Sequence, residues 1–247
     1  MIRINDLHKH FKSANGEVQA VRGVSFSARD GEITGLLGPN GAGKTTTLRM
    51  LSTLMKPDRG HIDVDGLDVQ ENPCIALRHL GVLPDARGLY KRLTARENIA
   101  YFGELQGLDP NTIRRQGAAL ASALAMEDFL DRPAEVFSQG QRTKTAIARA
   151  LIHNPRNIVL DEPTNGLDVM TTRSLRAFLR QVRDEGRCII FSSHIMQEVA
   201  ALCDRIVVIA NGKVCATGSP DELRQLTGLT DLEDVFVRLA HLEEQLA

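Results

Sequence analysis

The stretch "GPNGAGKTTT", residues 38–47, decides how the rest of the chain can be interpreted. It matches the pattern G-x-x-x-x-G-K-[ST], follows a short apolar segment at residues 32–37 and opens a segment of helical periodicity at residues 44–55. Glycines let the backbone curl until successive N–H groups face one point, and the dipole of the following helix adds partial positive charge there. The stretch therefore predicts an anion-binding loop between a buried strand and a helix.

Two side chains of this loop have specific chemical uses. Lys44 can reach the β- and γ-phosphates of a nucleotide, and the Thr45 hydroxyl can ligate Mg²⁺. A glycine-rich turn without a ligand would need neither side chain in this register, so we expect ATP and Mg²⁺ as the bound groups. The predicted nucleotide-binding residues of the loop are Gly38, Pro39, Asn40, Gly41, Ala42, Gly43, Lys44, Thr45 and Thr46.

A pair of adjacent carboxylates follows a second apolar segment, in "NIVLDEPT" at residues 157–164. The apolar run would place Asp161 and Glu162 at the carboxyl end of a buried strand, which is the edge where open α/β sheets bind ligands. Asp161 is predicted to hold Mg²⁺ through water, and Glu162 to act as the general base on the attacking water. An apolar run ending in Asp-Glu is a weak signal alone, but the phosphate loop upstream strengthens it.

Short apolar and helical segments alternate in the second half of the chain. Apolar runs at residues 157–160 and 188–191 flank a helical segment at residues 171–185, and this β-α-β order predicts a parallel sheet covered by helices. Next come "RIVVIA", Asn211-Gly212 and "KVCA", and Asn-Gly between apolar runs predicts a β-hairpin. Further strands are predicted at residues 18–28, 32–37 and 61–64.

The middle of the chain has a different, helical character. Residues 94–107 and 110–126 have helical patterns rich in alanine and leucine, and Thr94 with Glu97 forms a capping-box pattern. We expect two short amphipathic helices in the tail, residues 221–247. The predicted units are an ATP-binding core with an antiparallel β part at residues 1–87 and 156–222, a helical subdomain at residues 88–155 and a tail at residues 223–247.

The overall composition favours some classes of protein over others. The 30 basic and 31 acidic residues nearly cancel, so no global basic field would attract nucleic acid, and no nucleic-acid partner is expected. The charged N-terminus does not look like a signal peptide, and no apolar window approaches the roughly 18 residues that a membrane helix needs. Cys188, Cys203 and Cys215 lie in or beside apolar stretches, where we expect them to behave as small hydrophobic residues.

A further stretch, "FSQGQRTKTAIARAL" at residues 137–151, resembles the signature of the ABC-transporter ATPases. That signature is usually written L-S-G-G-Q. Here Phe137 and Gln139 replace the leucine and the first glycine, whereas Ser138, Gly140 and Gln141 remain. The resemblance implies a second anion site at a helix N-terminus, which would cap the γ-phosphate bound to another subunit. Two ATP molecules would then lie between two subunits in a head-to-tail dimer.

Three more motifs follow the order of this family. "NGLD" at residues 165–168 resembles its D-loop, which implies that Asp168 lies at the dimer interface. "FSSH" at residues 191–194 resembles its H-loop, which implies that His194 contacts the γ-phosphate and positions the water, alongside Lys44 and Glu162 as catalytic residues. Phe11 matches the aromatic residue that stacks on adenine. Each residue alone would fit an ordinary cap, core or strand-end role; their joint order favours the family.

The resemblance implies both a fold and a partner. The fold is an α/β P-loop NTPase core with a mixed β-sheet, plus an inserted α-helical subdomain. The implied function is that of an ATP-hydrolysing subunit that powers a separate multi-span membrane permease, together with a second ATP-binding subunit, identical or not. The expected location is cytoplasmic, on the inner face of the cell membrane through the permease.

The features of the chain also favour one branch of the family. The stretches at residues 35–51 and 89–108, and "LTGLTDLEDVFVRL" at residues 226–239, resemble the branch of sodium-extruding, NatA-like and drug-exporting subunits. The alternative is a soluble ABC-type ATPase switch acting on nucleic acid or protein. Because the chain has no heptad array, cysteine cluster or second phosphate loop, transport is favoured.

One position departs from the family in charge. "GVLPDARGLY", residues 81–90, occupies the place of the family's Q-loop, where glutamine usually stands near Mg²⁺ and the attacking water; here the residue is Asp85. A carboxylate can still accept hydrogen bonds and ligate a hard cation, but it cannot donate when ionised. Two interpretations remain open. Asp85 keeps the sensor role as a metal and nucleotide contact, or it is an exposed turn residue and the sensing lies at Arg87 or elsewhere.

Overall fold

The computed structural model describes residues 1–13, 16–86 and 88–246. Arg87, one of the two candidate sensor positions, lies outside these residues. The strands are β1 (Ile2–Ser13), β2 (Gly16–Ala28), β3 (Ile33–Leu37), β4 (Arg59–Val64), β5 (Leu67–Asp68), β6 (Leu80–Leu83), β7 (Asn157–Asp161), β8 (Cys188–Ser193), β9 (Arg205–Ala210) and β10 (Lys213–Gly218). The helices are α1 (Lys44–Leu51), α2 (Pro73–Arg78), α3 (Ala95–Leu105), α4 (Pro110–Ala123), α5 (Gln139–Leu151), α6 (Val169–Asp184), α7 (Met196–Leu202), α8 (Pro220–Thr227) and α9 (Leu232–Leu246).

The larger sheet has six strands in the order β10-β9-β3-β8-β7-β6. Neighbouring strands from β9 to β6 are parallel, and β10 alone pairs antiparallel to its neighbour β9. Every residue of β3, β7 and β8 is buried, as expected for parallel strands covered on both faces. The predicted α/β core with a mixed sheet is thereby confirmed, and the carboxyl ends of β3, β7 and β8 meet at one edge.

Successive residues of these strands enter two different cores. Leu36 and Val159 pack with Ile4 and other residues of the second, antiparallel sheet, whose order is β2-β1-β4-β5. Leu37 and Leu160 point the other way, into a core that includes residues of α3, α5 and α6. Because side chains alternate across a strand, one short apolar run can fill both cores.

The segment between β6 and β7 holds the helices α3, α4 and α5. Thr94 caps α3 in the predicted capping box, with its side chain accepting from the Glu97 N–H and the Glu97 carboxylate accepting from the Thr94 N–H. The predicted helix 110–126 ends sooner, at Ala123, because Ala125 takes a left-handed conformation, φ 48°, and the chain turns so that Met126 is fully buried.

The predicted hairpin is present as β9 and β10. Its turn residues Asn211 and Gly212 both have positive φ, 49° and 78°, which is the conformation that the Asn-Gly pair favours. The turn lies against the phosphate loop, because the Gly212 N–H donates to the Ala42 carbonyl at 3.1 Å and the Arg22 N–H donates to the Gly212 carbonyl at 2.7 Å. The hairpin therefore helps to fix the loop in place.

Some elements differ from the sequence-based expectations. The predicted helix 44–55 ends at Leu51, because the Ser52 hydroxyl bonds back to the Leu48 carbonyl at 2.8 Å and Thr53 is left-handed with φ 58°. The long strand β1 and the short helices α2 and α7 were not predicted, and α9 is longer than the short helix expected. These elements have weak local patterns and form through pairing or packing with distant parts of the chain.

Burial of the cysteines agrees with their expected hydrophobic role. Cys188 and Cys203 are buried, and Cys215 is half-buried and packs against the core. Burial raises the pKa of the Cys188 thiol to about 12 and raises the pKa of Cys203 as well, so both stay protonated near neutral pH. Among the described residues no helix is long and apolar enough to cross a bilayer.

The tail helix α9 should contribute measurably to stability through its buried face. Val235 is 1% exposed within the core, whereas Val237 on the same helix is 50% exposed. Val235→Ala removes buried methyl groups and leaves a cavity, so we expect it to lower the free energy of unfolding by roughly 2 kcal/mol. Urea denaturation of the full chain measures this loss. The matched control Val237→Ala should leave the midpoint almost unchanged, and equal effects of the two changes would show that α9 does not dock through Val235.

Candidate nucleotide-hydrolysis site

Close backbone contacts shape the phosphate loop. Gly43 is the N-cap of α1 with φ 103°, and a Cβ at this position would lie 2.5 Å from the Ala20 carbonyl oxygen. A Cβ on Gly38 would lie 2.2 Å from the Ile209 carbonyl oxygen. Only glycine permits both approaches, so the loop is held between β2 and β9 with its N–H groups at the start of a helix.

Lys44 occupies the centre of this loop and is only 5% exposed. Its ammonium donates to the carbonyls of Gly38 at 2.7 Å and Pro39 at 3.2 Å, and it lies 3.6 Å from Oε1 of Glu162. Burial lowers the pKa of Lys44, while the Glu162 carboxylate opposes that shift. The ammonium is thus placed between the loop and the candidate general base, where a nucleotide phosphate would provide a stronger partner than the carbonyls.

A group of oxygen atoms beside Lys44 suits a hard cation. The Thr45 hydroxyl donates to Oδ1 of Asp161 at 3.3 Å, and the Ser192 hydroxyl donates to the same oxygen at 2.6 Å. Mg²⁺ prefers carboxylate and hydroxyl oxygens together with water and phosphate. Thr45 and Asp161 therefore fit the metal predicted for them.

The carboxylate of Glu162 is paired with His194. Nδ1 of His194 lies 3.0 Å from Oε2 of Glu162, and because a carboxylate only accepts, this nitrogen is the donor. Glu162 itself has φ 46°, an uncommon value for a residue with a side chain, and its N–H donates to the Ser192 hydroxyl at 2.9 Å. The predicted catalytic residues Lys44, Glu162 and His194 thus lie in one continuous cluster.

Ser192 is a residue of this site that the sequence interpretation missed. One hydroxyl accepts from the Glu162 N–H and donates to the Asp161 carboxylate, so it fixes both carboxylate residues. Its signal was present in "FSSH", because Ser192 is the next-to-last residue of the buried strand β8, where it pairs with Asp161 of β7. A serine in a fully buried strand needs a polar partner, and this requirement could have indicated its role.

The residues predicted for the second anion site and the residue predicted for the dimer interface lie at two neighbouring helix starts. Ser138 caps α5, its hydroxyl accepting from the Gln141 N–H at 3.3 Å and its N–H donating to the Gln141 side chain at 3.0 Å. Asp168 caps α6 by accepting from the Thr171 N–H at 2.9 Å. A Cβ on Gly140 would lie 3.1 Å from Thr171, so the two helix starts are adjacent. The capping role is therefore observed for both residues. An anion role of Ser138 and an interface role of Asp168 would be additional to it.

The two departures from the usual signature have structural partners. Phe137 is buried and meets Phe129 edge to face, with ring centroids 5.3 Å apart. The side chain of Gln139 lies beside Gly166 of the D-loop motif, where a Cβ would be 3.5 Å from the Gln139 side chain. The bulkier signature residues are thus accommodated by the core and by the D-loop.

Phe11 and the phosphate loop lie at the same end of the antiparallel sheet. Phe11 pairs with Val18 on β2, two residues before Ala20, whose carbonyl faces Gly43. The ring is 37% exposed, and Lys9 Nζ lies 6.0 Å from its centroid. An exposed ring in this place is suited to stacking on a base.

Asp85 is exposed in the loop after β6. It lines a cavity of about 240 Å³ together with Asp161, Arg49 and Ser52, beside the first helix after the phosphate loop. Asp85 and the candidate metal ligand Asp161 therefore border the same space, and the exposure of Asp85 also fits an exposed turn residue.

Comparison with known proteins defines the class of the chain. The profile described as "ABC transporter" matches residues 21–165, more than half of the 247 residues. The ABC transporter ATP-binding protein NatA of Bacillus subtilis (strain 168) is 43% identical over 238 residues, covering 96% of this chain and 97% of that protein. The linearmycin resistance ATP-binding protein LnrL of the same organism is 36% identical over 215 residues, covering 87% and 69%.

A solved structure extends the likeness to three dimensions. A dimer of an ATP-binding cassette in a post-hydrolysis state, bound to ADP and Pi, superposes with a TM-score of 0.81 at 25% identity, covering 89% of this chain and 98% of the other. The chain belongs to the ABC transporter family and is an ATP-binding, ATP-hydrolysing subunit. ATP-binding subunits of this family dimerise and pair with membrane permeases.

Proposed function

We propose that this subunit drives a membrane exporter by closing on ATP as a head-to-tail dimer and reopening after hydrolysis. The observation that carries the proposal is the contiguous cluster of Lys44, Glu162 and His194 at the mouth of the phosphate loop, with separations of 3.6 Å and 3.0 Å between charged or polar atoms. Such a cluster can bind phosphate, accept a proton and orient the group that accepts it.

The binding roles follow from the chemistry of each group. The loop N–H groups and Lys44 would hold the phosphates, and Phe11 would stack on the adenine. Thr45, Asp161 and Asp85 would hold Mg²⁺, which when bound would neutralise charge on the phosphate oxygens. Asp85 would then keep the sensor role through oxygen contacts that replace those of the usual glutamine.

Hydrolysis would depend on the pair of Glu162 and His194. Glu162 would take a proton from water as the water oxygen bonds to the γ-phosphorus and the bond to ADP breaks. His194 donates to Oε2 of Glu162, so it would hold the carboxylate in the orientation needed for proton transfer. Glu162 also pairs with Lys44. A bound phosphate would take over that pairing with Lys44, and the Glu162 carboxylate could then act as a base.

Closure would bring the second anion site of one subunit to the nucleotide of the other. Ser138, Gly140 and Gln141 lie at the N-terminus of α5, where the helix dipole favours an anion, and Asp168 lies at the adjacent helix start. ATP would thus bind best to the closed dimer, and this difference in affinity would shift a permease between its states. The dimer would be formed with a second copy or with a related subunit.

The relatives support the choice of an exporter. One relative is named for linearmycin resistance and others for Nod factor export. Another is NatA, which represents the sodium-extruding branch expected from the sequence. We propose an ion or drug as cargo and a location on the inner face of the cell membrane, held there by the permease. These names favour transport over the soluble-switch alternative.

The proton-accepting role of Glu162 can be tested with Glu162→Gln. The amide keeps the shape but cannot act as a base, so we expect ATP binding to remain while turnover falls by at least roughly 100-fold. ATP should then hold the variant as a dimer, which size-exclusion chromatography with light scattering would detect. Glu185→Gln, a change at the end of α6, is the control and should turn over normally. Wild-type turnover by Glu162→Gln would refute the assignment of the base.

The metal-contact role of Asp85 predicts an altered Mg²⁺ requirement. Asp85→Gln replaces an anionic ligand by a neutral one, so the Mg²⁺ concentration for half-maximal ATPase activity should rise, by roughly 3- to 10-fold. A Mg²⁺ titration at saturating ATP measures the shift, with Asp63→Asn on the antiparallel sheet as the control. An indistinguishable titration would support the exposed-turn interpretation instead.

The permease partner predicts a specific co-purification result. When the tagged chain is extracted from host membranes in detergent, a multi-span membrane protein should co-purify with it. In reconstituted vesicles, that membrane protein should raise the ATPase rate of the tagged chain. Stimulation by DNA or ribosomes, with no membrane partner, would favour the soluble switch.

A further inference from the structure

A buried carboxylate outside the proposed catalytic cluster connects the two loops that carry Glu162 and His194. Glu198 lies in α7 and is only 7% exposed, and such burial is unusual for a glutamate. The hydrolysis scheme above gives it no direct role. Its Oε2 accepts from the Thr164 hydroxyl and, at 3.2 Å, from the Ser193 hydroxyl. A buried charge of this kind is retained only where partners satisfy it.

The two donors come from opposite sides of the Glu162–His194 pair. Thr164 follows Glu162 by two residues, and Ser193 directly precedes His194. A single oxygen of Glu198 therefore joins the chain just after the base to the chain just before the histidine. This contact is separate from the one made by Ser192, which fixes Asp161 and Glu162.

The contact also shapes the turn that presents His194. The Ser193 hydroxyl accepts from the Ile195 N–H at 3.0 Å while donating to Glu198, so residues 193–195 are held as one turn around the histidine. Nη2 of Arg176 lies 3.9 Å from Oε1 of Glu198 and supplies a counter-charge. Both oxygens of the Glu198 carboxylate therefore have a partner.

We propose that Glu198 is a positioning residue that sets the distance between Glu162 and His194 by tying Thr164 to Ser193. This inference rests on the proposed roles of Glu162 and His194. Without the carboxylate, two buried hydroxyls lose their acceptor and the histidine turn loses its anchor, while the phosphate loop keeps all of its own contacts. The consequence falls on the hydrolysis step and not on ATP binding.

The test compares kcat with the KM for ATP in the full chain. In Glu198→Ala, we expect kcat to fall about 10- to 100-fold, because a misplacement of about 1 Å in a catalytic pair has effects of this size, with KM within about twofold of wild type. Glu198→Gln keeps an acceptor oxygen and should recover most of the rate. The control is Gln197→Ala, at an exposed position of the same helix, which should behave as wild type.

A second variant covers the case in which Glu198→Ala fails to fold. Thr164→Val keeps the side-chain shape and removes only the hydroxyl, so it should also lower kcat at unchanged KM. Wild-type kcat in either Glu198→Ala or Thr164→Val would overturn the proposal. A parallel rise in KM would also overturn it, because that would indicate a general loss of the binding site.

A double-mutant cycle asks whether Glu198 acts through the histidine. In a His194→Ala background, Glu198→Ala should lower kcat by a smaller factor than in the wild type, because the contact between Glu162 and His194 is already lost. Losses that multiply in full would overturn the proposed route. Failure of this inference can be distinguished from failure of the proposed function. Normal turnover by Glu162→Gln would refute the role of Glu162 as the base. An inactive Glu162→Gln together with a fully active Glu198→Ala would refute only the positioning role of Glu198.

Discussion

The site depends on one constraint of the fold, which is that parallel strands place their carboxyl ends at the same edge of a sheet. The phosphate loop follows β3, the carboxylates end β7, and the serine-histidine turn ends β8, which lies between the other two. The pairing of Asp161 with Ser192 brings the metal-ligand candidate and its hydroxyl partner opposite each other. Functional groups that are far apart in the sequence therefore come together on short loops at this edge, and only a few loop residues have to be ordered.

Two consecutive serines at the end of β8 bond to different partners. The Ser192 hydroxyl bonds to Asp161 and to the Glu162 N–H, whereas the Ser193 hydroxyl bonds to Glu198 and to the Ile195 N–H. Side chains alternate across a strand, so neighbouring hydroxyls reach different partners. The bond from the Glu162 N–H to Ser192 helps to hold the uncommon backbone conformation of Glu162, which has φ 46°.

Much of the fold could be anticipated because its signals are local. Glycine spacing, the Asn211-Gly212 pair and the Thr94 capping box each act through residues close in sequence, and all were present where expected. Helix ends were less predictable, because a non-glycine residue in the left-handed conformation follows each helix, Ala125 after α4 and Thr53 after α1. The strand β1 was missed because its stability comes from pairing with β2 and β4 on both sides, and its own pattern is irregular.

The sequence by itself determined the class of chemistry: a glycine loop with Lys44 and Thr45, strand-ending carboxylates, and motifs in the order of the ABC transporter family. Only the tertiary structure decided which polar groups meet. The contacts of His194 with Glu162, of Ser192 with Asp161 and of Glu198 with Thr164 each join residues more than 30 positions apart. No local pattern encodes such contacts, because they exist only after β7 and β8 have paired in register and α7 has packed against β8.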